Sequence, residues 1–129
     1  MDTNVVVSGI FFGGVPRRAL ELWAEGRFEL VLSPAIFDEY LRTCDRLGAA
    51  HRNLEYREVL AALVGHGTLV PDDPEERITA DADDDKFMLC ARRAGAIVVS
   101  GDSDLLNAGG WENVKVLNPR DFVELVVKG

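Results

Sequence analysis

Several acids stand where plain solvation is a poor explanation. Asp84 opens a helical pattern over about residues 84–94 in which Phe87, Met88, Ala91 and Ala94 share one face. At about 100° per residue Asp84 falls on that same face, and Asp85 points well away from it. An acid on an apolar face is costly unless something pairs with it, although a helix cap or dipole partner is the ordinary alternative. Asp102 follows the apolar run Ala96–Ser100 (AIVVS) through a glycine, in SGDSDLL. Ligands of parallel sheets bind beyond the carboxyl ends of strands, so this position suits a site; capping the turn that holds Leu105 and Leu106 is the alternative. Asp104, in the same turn, is explained by solvation. Glu39 and Asp38 flank an apolar helical stripe symmetrically, and the helical wheel does not choose between them. Asp38 lies four residues before Arg42, an ordinary surface pairing. Asp2, in MDTN, precedes Val5-Val6-Val7 and reads locally as a polar start to a strand.

Acidity is concentrated along the chain. The 129 residues carry 14 basic and 22 acidic side chains, a net charge of −8. Residues 72–85 alone hold eight carboxylates and one arginine, a local net of −7, while the remainder is close to neutral. Such a run suggests a cation site as readily as a repelling surface, so total charge does not exclude a nucleic-acid partner. Asp81-Ala82-Asp83-Asp84-Asp85 imitates the start of a calcium loop, but Lys86 and Arg92 replace its glycine and its closing glutamate. No P-loop or nucleophile-elbow pattern occurs. His51 and His66 are isolated and expected to be solvated. Gly13-Gly14 reads as a loop between helices, and Trp23 with the Phe11-Phe12 pair is expected in the core. Cys44 and Cys90 lie within helical patterns without C-x-x-C spacing, so two reduced core thiols are expected.

The elements that must position these acids follow from hydrophobic period. Strands are expected at Phe28–Leu32, Gly67–Val70, Ala96–Ser100 and Val114–Leu117. Helices are expected over about 15–25, stopping at Gly26, and over 34–47, where Ser33-Pro34 supplies cap and first position. Others run over about 53–64 ending at Gly65, over 84–94 closed by Gly95, and from Asn118-Pro119 to about Val127. Strands alternating with helices predict an α/β domain with a mainly parallel sheet. The length fits one domain spanning 1–129, 47% apolar and 28% charged, with mean hydropathy near zero. No run of about 18 apolar residues could cross a membrane. A basic, apolar leader is absent, and the expected location is the cytoplasm.

Taken in order, Asp2-Thr3-Asn4 with VVVSGIFFGG, LSPAIFDEYLR, DADDDKFMLCARRAGA, IVVSGDSDLL and NPRDFVEL resemble the PIN-domain family. The subgroup they look most like is that of bacterial toxins of toxin–antitoxin pairs, related to VapC-type ribonucleases. The resemblance implies a three-layer α/β/α domain with a central, mainly parallel sheet of four to five strands. On that alignment Val5–Phe12 become a helix, and the first strand is expected to be truncated before Asp2. It also implies a catalytic quartet of Asp2, Glu39, Asp84 and Asp102, of which Asp2, Asp84 and Asp102 hold metal. Thr3, Asn4, Ser100 and Asp104 are implied as auxiliary residues, and Arg17, Arg18 and Lys86 are candidate phosphate-binding cations.

Carboxylates brought together this way cannot all stay ionised without a cation, and hard oxygen ligands suit Mg2+ or Mn2+. The expected activity is metal-dependent hydrolysis of RNA phosphodiesters by water, and the resemblance implies products with a 5′-phosphate and a 3′-hydroxyl. A small basic or amphipathic antitoxin and a homodimer are the expected partners. The competing reading is a non-catalytic PIN-like module that binds RNA or protein. An aspartyl-phosphate phosphatase or receiver domain is disfavoured, because Asp2-Thr3-Asn4 lacks the second aspartate and no lysine follows a late strand.

Overall fold

The computed structural model describes residues 1–51 and 55–129, with His51 by its backbone alone. The expected solvation of His51 and the expected helix start near 53 lie outside the described residues. The elements run α1 (Thr3–Phe11), α2 (Gly14–Ala24), β1 (Val31–Leu32), α3 (Pro34–His51), α4 (Tyr56–His66) and β2 (Thr68–Leu69). They continue through α5 (Asp85–Ala94), β3 (Val98–Val99), α6 (Ser103–Asn107), β4 (Val116–Leu117) and α7 (Pro119–Lys128). Single 3-10 turns at Ala82–Asp84 and Trp111–Asn113 precede α5 and β4.

The valine-rich start is a helix, against its local β propensity. The Asp2 carboxylate caps it by accepting the Val5 N–H at 2.9 Å. Val5, Val6 and Val7 are all buried, Val6 and Val7 in the main core and Val5 against Val99 and Phe122. That burial outweighs the modest cost of β-branched residues in a helix. Gly9 lets α2 approach α1: a Cβ there would stand 2.6 Å from Leu20 Cδ1 and 3.0 Å from the Pro16 carbonyl oxygen. Gly13 and Gly14 take positive φ values of 87° and 69° in the link between the two helices, where a side chain would be strained. Phe11 packs on Tyr56 with ring centroids 5.8 Å apart, but Phe12, at the helix end, is 68% exposed and does not join the core as expected.

The strands form two parallel pairs, β1 with β2 and β3 with β4. Val31 aligns with Thr68 and Leu32 with Leu69; Val98 aligns with Val116 and Val99 with Leu117. The expected single ladder of four to five strands is therefore not formed among the described residues. Each strand is two residues long, and the Met1–Asp2 segment adds one bond, from Asp2 N–H to the Val99 carbonyl at 2.9 Å, before the chain turns into α1. One main core nevertheless joins both pairs, with Leu30, Leu32 and Val98 packed together with Tyr40, Leu63 and Met88. Cys44 and Cys90 are buried free thiols in it.

Helix α4 passes through Gly65 and ends at Gly67, beyond its expected stop. Gly95, at φ 65°, closes α5, and the Asn118 side chain caps α7. The acidic stretch before α5 is a strap pinned at several points. Asp72 accepts the Ala35 N–H at the start of α3, Asp73 meets Arg93, and Glu76 meets Arg92. Asp85, expected to face away from the core, is buried under this strap. Its Oδ1 accepts both the N–H and the hydroxyl of Thr79 at 2.8 Å, and Oδ2 lies 3.5 Å from Arg77. No described helix is long and apolar enough to cross a membrane.

Close packing at Gly9 and open space at Gly65 predict opposite effects of one methyl group. Gly9→Ala should lower stability by about 1–3 kcal/mol, as overpacked sites do. Gly65→Ala, with nothing within 4 Å of the new Cβ, should raise it by about 0.5–1 kcal/mol. Urea unfolding of the two variants beside the parent checks both signs.

Candidate metal centre

Three helices begin at one end of the molecule, and each brings an acid there. Asp2 is the N-cap of α1, Asp84 stands at the start of α5, and Asp102 is the N-cap of α6. Helix N-termini present unpaired N–H groups and a partial positive charge, so carboxylates are favoured at these positions. Capping engages one oxygen of Asp102, whose Oδ1 accepts the Asp104 N–H at 2.8 Å. Asp2 is more fully committed. Its Oδ1 caps α1 and its Oδ2 accepts the Ser100 hydroxyl, while Ser100 Oγ accepts the Asp102 N–H at 2.9 Å.

These residues line a cavity of about 360 Å³ together with Thr3, Asn4, Glu39 and Lys86. Asp84 and Asp102 of this lining, together with Asp104, each offer an oxygen within 4.8 Å of the others. Asp84 Oδ2 is buried and has no hydrogen-bond partner among the described residues. Burial, followed by the charges of Asp102, Asp81, Asp2 and Glu39, pushes the Asp84 carboxyl up to about 6. Asp2 is also raised, chiefly by burial, although its bonds from Ser100 and Val5 oppose the shift. An orphaned oxygen among converging hard donors fits a divalent cation of the Mg2+ or Mn2+ type.

The site departs from the sequence reading in membership. Asp104, explained by solvation on its own pattern and auxiliary by the resemblance, joins the converging group, whereas Asp2 lines the cavity outside it. Glu39 faces the cavity and Asp38 pairs outside it with Arg42 at 3.0 Å, a distinction the helical wheel could not make. Thr3 donates its hydroxyl to Glu39, and Lys86 Nζ lies 2.8 Å from the same carboxylate. Arg17 instead caps the end of α1, donating to the Gly9 and Ile10 carbonyls at 2.9 and 3.0 Å. Arg18 pairs with Glu25 on the exposed side of α2, and neither arginine lines the cavity. Arg42 and Arg46 do line it, and sequence reasoning missed them. Their signal was present: Glu39, Arg42, Thr43 and Arg46 follow the i, i+3, i+4, i+7 spacing of a single helix face.

Residues 1–104 match the family described as PIN domain. The chain is 29% identical over 139 aligned positions to the uncharacterized protein MJ1680 of Methanocaldococcus jannaschii, covering 96% of this chain and 88% of that protein. No solved structure matches.

The raised Asp84 carboxyl predicts the sign of a pH dependence. Between the ordinary value of 3.8 and about 6 the folded state holds a proton that the unfolded state has lost. The metal-free protein therefore loses stability as pH rises through that window. Asp84→Asn should flatten this fall and unfold at a higher temperature than the parent at pH 7, as thermal melts in EDTA at pH 4 to 7 would show.

Proposed function

From its PIN-domain match the chain belongs to the PIN domain family, and on that premise we propose that it is a metal-dependent ribonuclease. PIN domains have a nuclease-like fold and are generally divalent-metal-dependent nucleases. The observation that carries the reading here is Asp84, which converges with Asp102 and Asp104 and keeps a buried oxygen without a partner. Those three residues would hold Mg2+ or Mn2+, with Asp2 beside them. Such an ion, when bound, supplies a polarised phosphoryl oxygen, an activated water and stabilisation of the leaving alkoxide.

The chain's own residues do the positioning. Asp2 and Ser100 hold the start of α6 against the start of α1, so that Asp102 and Asp104 face Asp84. Thr3 orients Glu39 at the cavity wall, and Asn4 lines the cavity beside it. Arg46, with Arg42 at the cavity wall beside its partner Asp38, brings the positive charge that a phosphate backbone needs to approach so acidic a centre. RNA is the substrate, water is the nucleophile, and the products are a 5′-phosphate and a 3′-hydroxyl.

The same reading makes the chain a cytoplasmic toxin that forms a homodimer and is held in check by a small antitoxin. Its support, beyond the family resemblance, is a second cavity of about 600 Å³ beside the first. Seven acids, among them Glu75 and Asp83, and the three cations Arg42, Arg77 and Lys86 line it, and the net negative charge would draw a basic peptide.

Cleavage of a mixed set of short labelled RNAs in Mn2+, with and without EDTA, tests the proposal. The parent should cut, EDTA should abolish cutting, and Asp84→Asn should lower the rate roughly 100-fold or more, in line with losses of preorganised electrostatic stabilisation. A folded parent that binds these RNAs but leaves them intact with Mn2+ would instead establish a non-catalytic binding module.

A further inference from the structure

We infer that Lys86 serves as the second cation of this centre, a built-in ammonium that neutralises Glu39 and limits the chain to one divalent ion. The inference rests on the metal dependence proposed above, but not on RNA being the substrate.

Both oxygens of Glu39 are engaged. Its Oε1 lies 2.8 Å from Lys86 Nζ, and its Oε2 accepts the Thr3 hydroxyl. It accordingly stands outside the group formed by Asp84, Asp102 and Asp104, although it lines the same cavity. The pair is not an ordinary surface contact, since the two side chains are only 22% and 23% exposed. Solvent screening is correspondingly weak, and a lone carboxylate in that position would be poorly tolerated.

Lys86 is held in place from more than one direction. It follows Asp84 by two residues in the first turn of α5, so the helix that delivers a ligand of the ion also delivers the ammonium. Its Nζ donates to the Asp83 carbonyl at 2.5 Å and lies 5.5 Å from the centroid of the Phe87 ring. An ammonium has three donors, and the Glu39 and Asp83 contacts engage two of them. Arg42, which lines the same cavity, pairs with Asp38 at 3.0 Å, so among the described residues Lys86 is the cation within ion-pair distance of Glu39. A second divalent ion shared by Glu39 and the aspartates would have to displace Lys86 or sit against it, and like charges at that range repel strongly.

Counting bound Mn2+ by electron paramagnetic resonance of the free ion at neutral pH tests this. The unaltered chain should bind one ion, and Lys86→Met should bind two, because it frees Glu39. Lys86→Arg, which keeps the charge, should bind one. Thermal melts of the same samples should show a larger gain on adding Mn2+ for Lys86→Met than for the parent. If Lys86→Met does not fold, the charge-balanced double variant Glu39→Gln/Lys86→Met answers in its place. It should bind one ion with affinity within about threefold of the parent, whereas a fall of about 10–100-fold, as when a metal's supporting groups are lost, overturns the inference. Two ions in the unaltered chain, or one in both it and Lys86→Met, also overturns it. No ion in any of these proteins removes the metal centre and this inference together. Counts of one and two with intact RNA uphold the inference and remove only the nuclease reading.

Discussion

The buried hydrogen bond from the Ser100 hydroxyl to the Asp2 carboxylate joins residues 98 positions apart and holds the acidic end of the molecule together. Asp2 uses its other oxygen to start α1, and Ser100 uses its oxygen to accept the Asp102 N–H just before α6. A backbone bond from Asp2 to Val99 runs alongside. Two helix starts and the end of β3 are thereby locked to one another. Because every partner is a hydrogen-bonded polar group in a buried setting, loosening one would leave others unsatisfied.

That lock explains how so much negative charge is tolerated. Helix N-termini accept carboxylates, so Asp2 and Asp102 satisfy local capping, and Glu39, within α3, is met by Thr3 and Lys86. Asp84 is the exception. It stands at a helix start without a capping bond of its own, and its neighbours push its carboxyl upward. Asp84 is thus the acid of the site whose charge a bound cation would relieve directly.

The remaining acids have a different use. Asp72, Asp73, Glu76 and Asp85 tie the strap to α3 and α5, pairing with Arg92, Arg93, Arg77 and backbone N–H groups. The strongly negative stretch of sequence is thus two populations of carboxylate. One fastens the strap, and the other faces the cavity. Composition alone merges them, since both have the same residue types at adjacent positions.

What the sequence by itself determined was the content that depends on one or two turns of chain. Ser33-Pro34, Asn118-Pro119 and Gly95 mark helix ends because capping and positive φ are local requirements, whereas helical period misplaced Asp85, because the chain enters α5 through a 3-10 turn that ends at Asp84 and the strap buries Asp85. Asp102 was legible both as a cap and as a strand-end acid. The tertiary structure decided what depends on distant segments meeting. Val5-Val6-Val7 became a helix because core contacts bury all three, and the strands stayed as two short pairs because only one backbone bond from the Met1–Asp2 segment reaches β3. Glu39 was separated from Asp38 by the approach of Thr3 and Lys86, and Asp104 was brought to Asp84 by a loop anchored on Asp2. No periodicity encodes such meetings, because they are set by packing between elements far apart in the chain rather than by the spacing of residues within one.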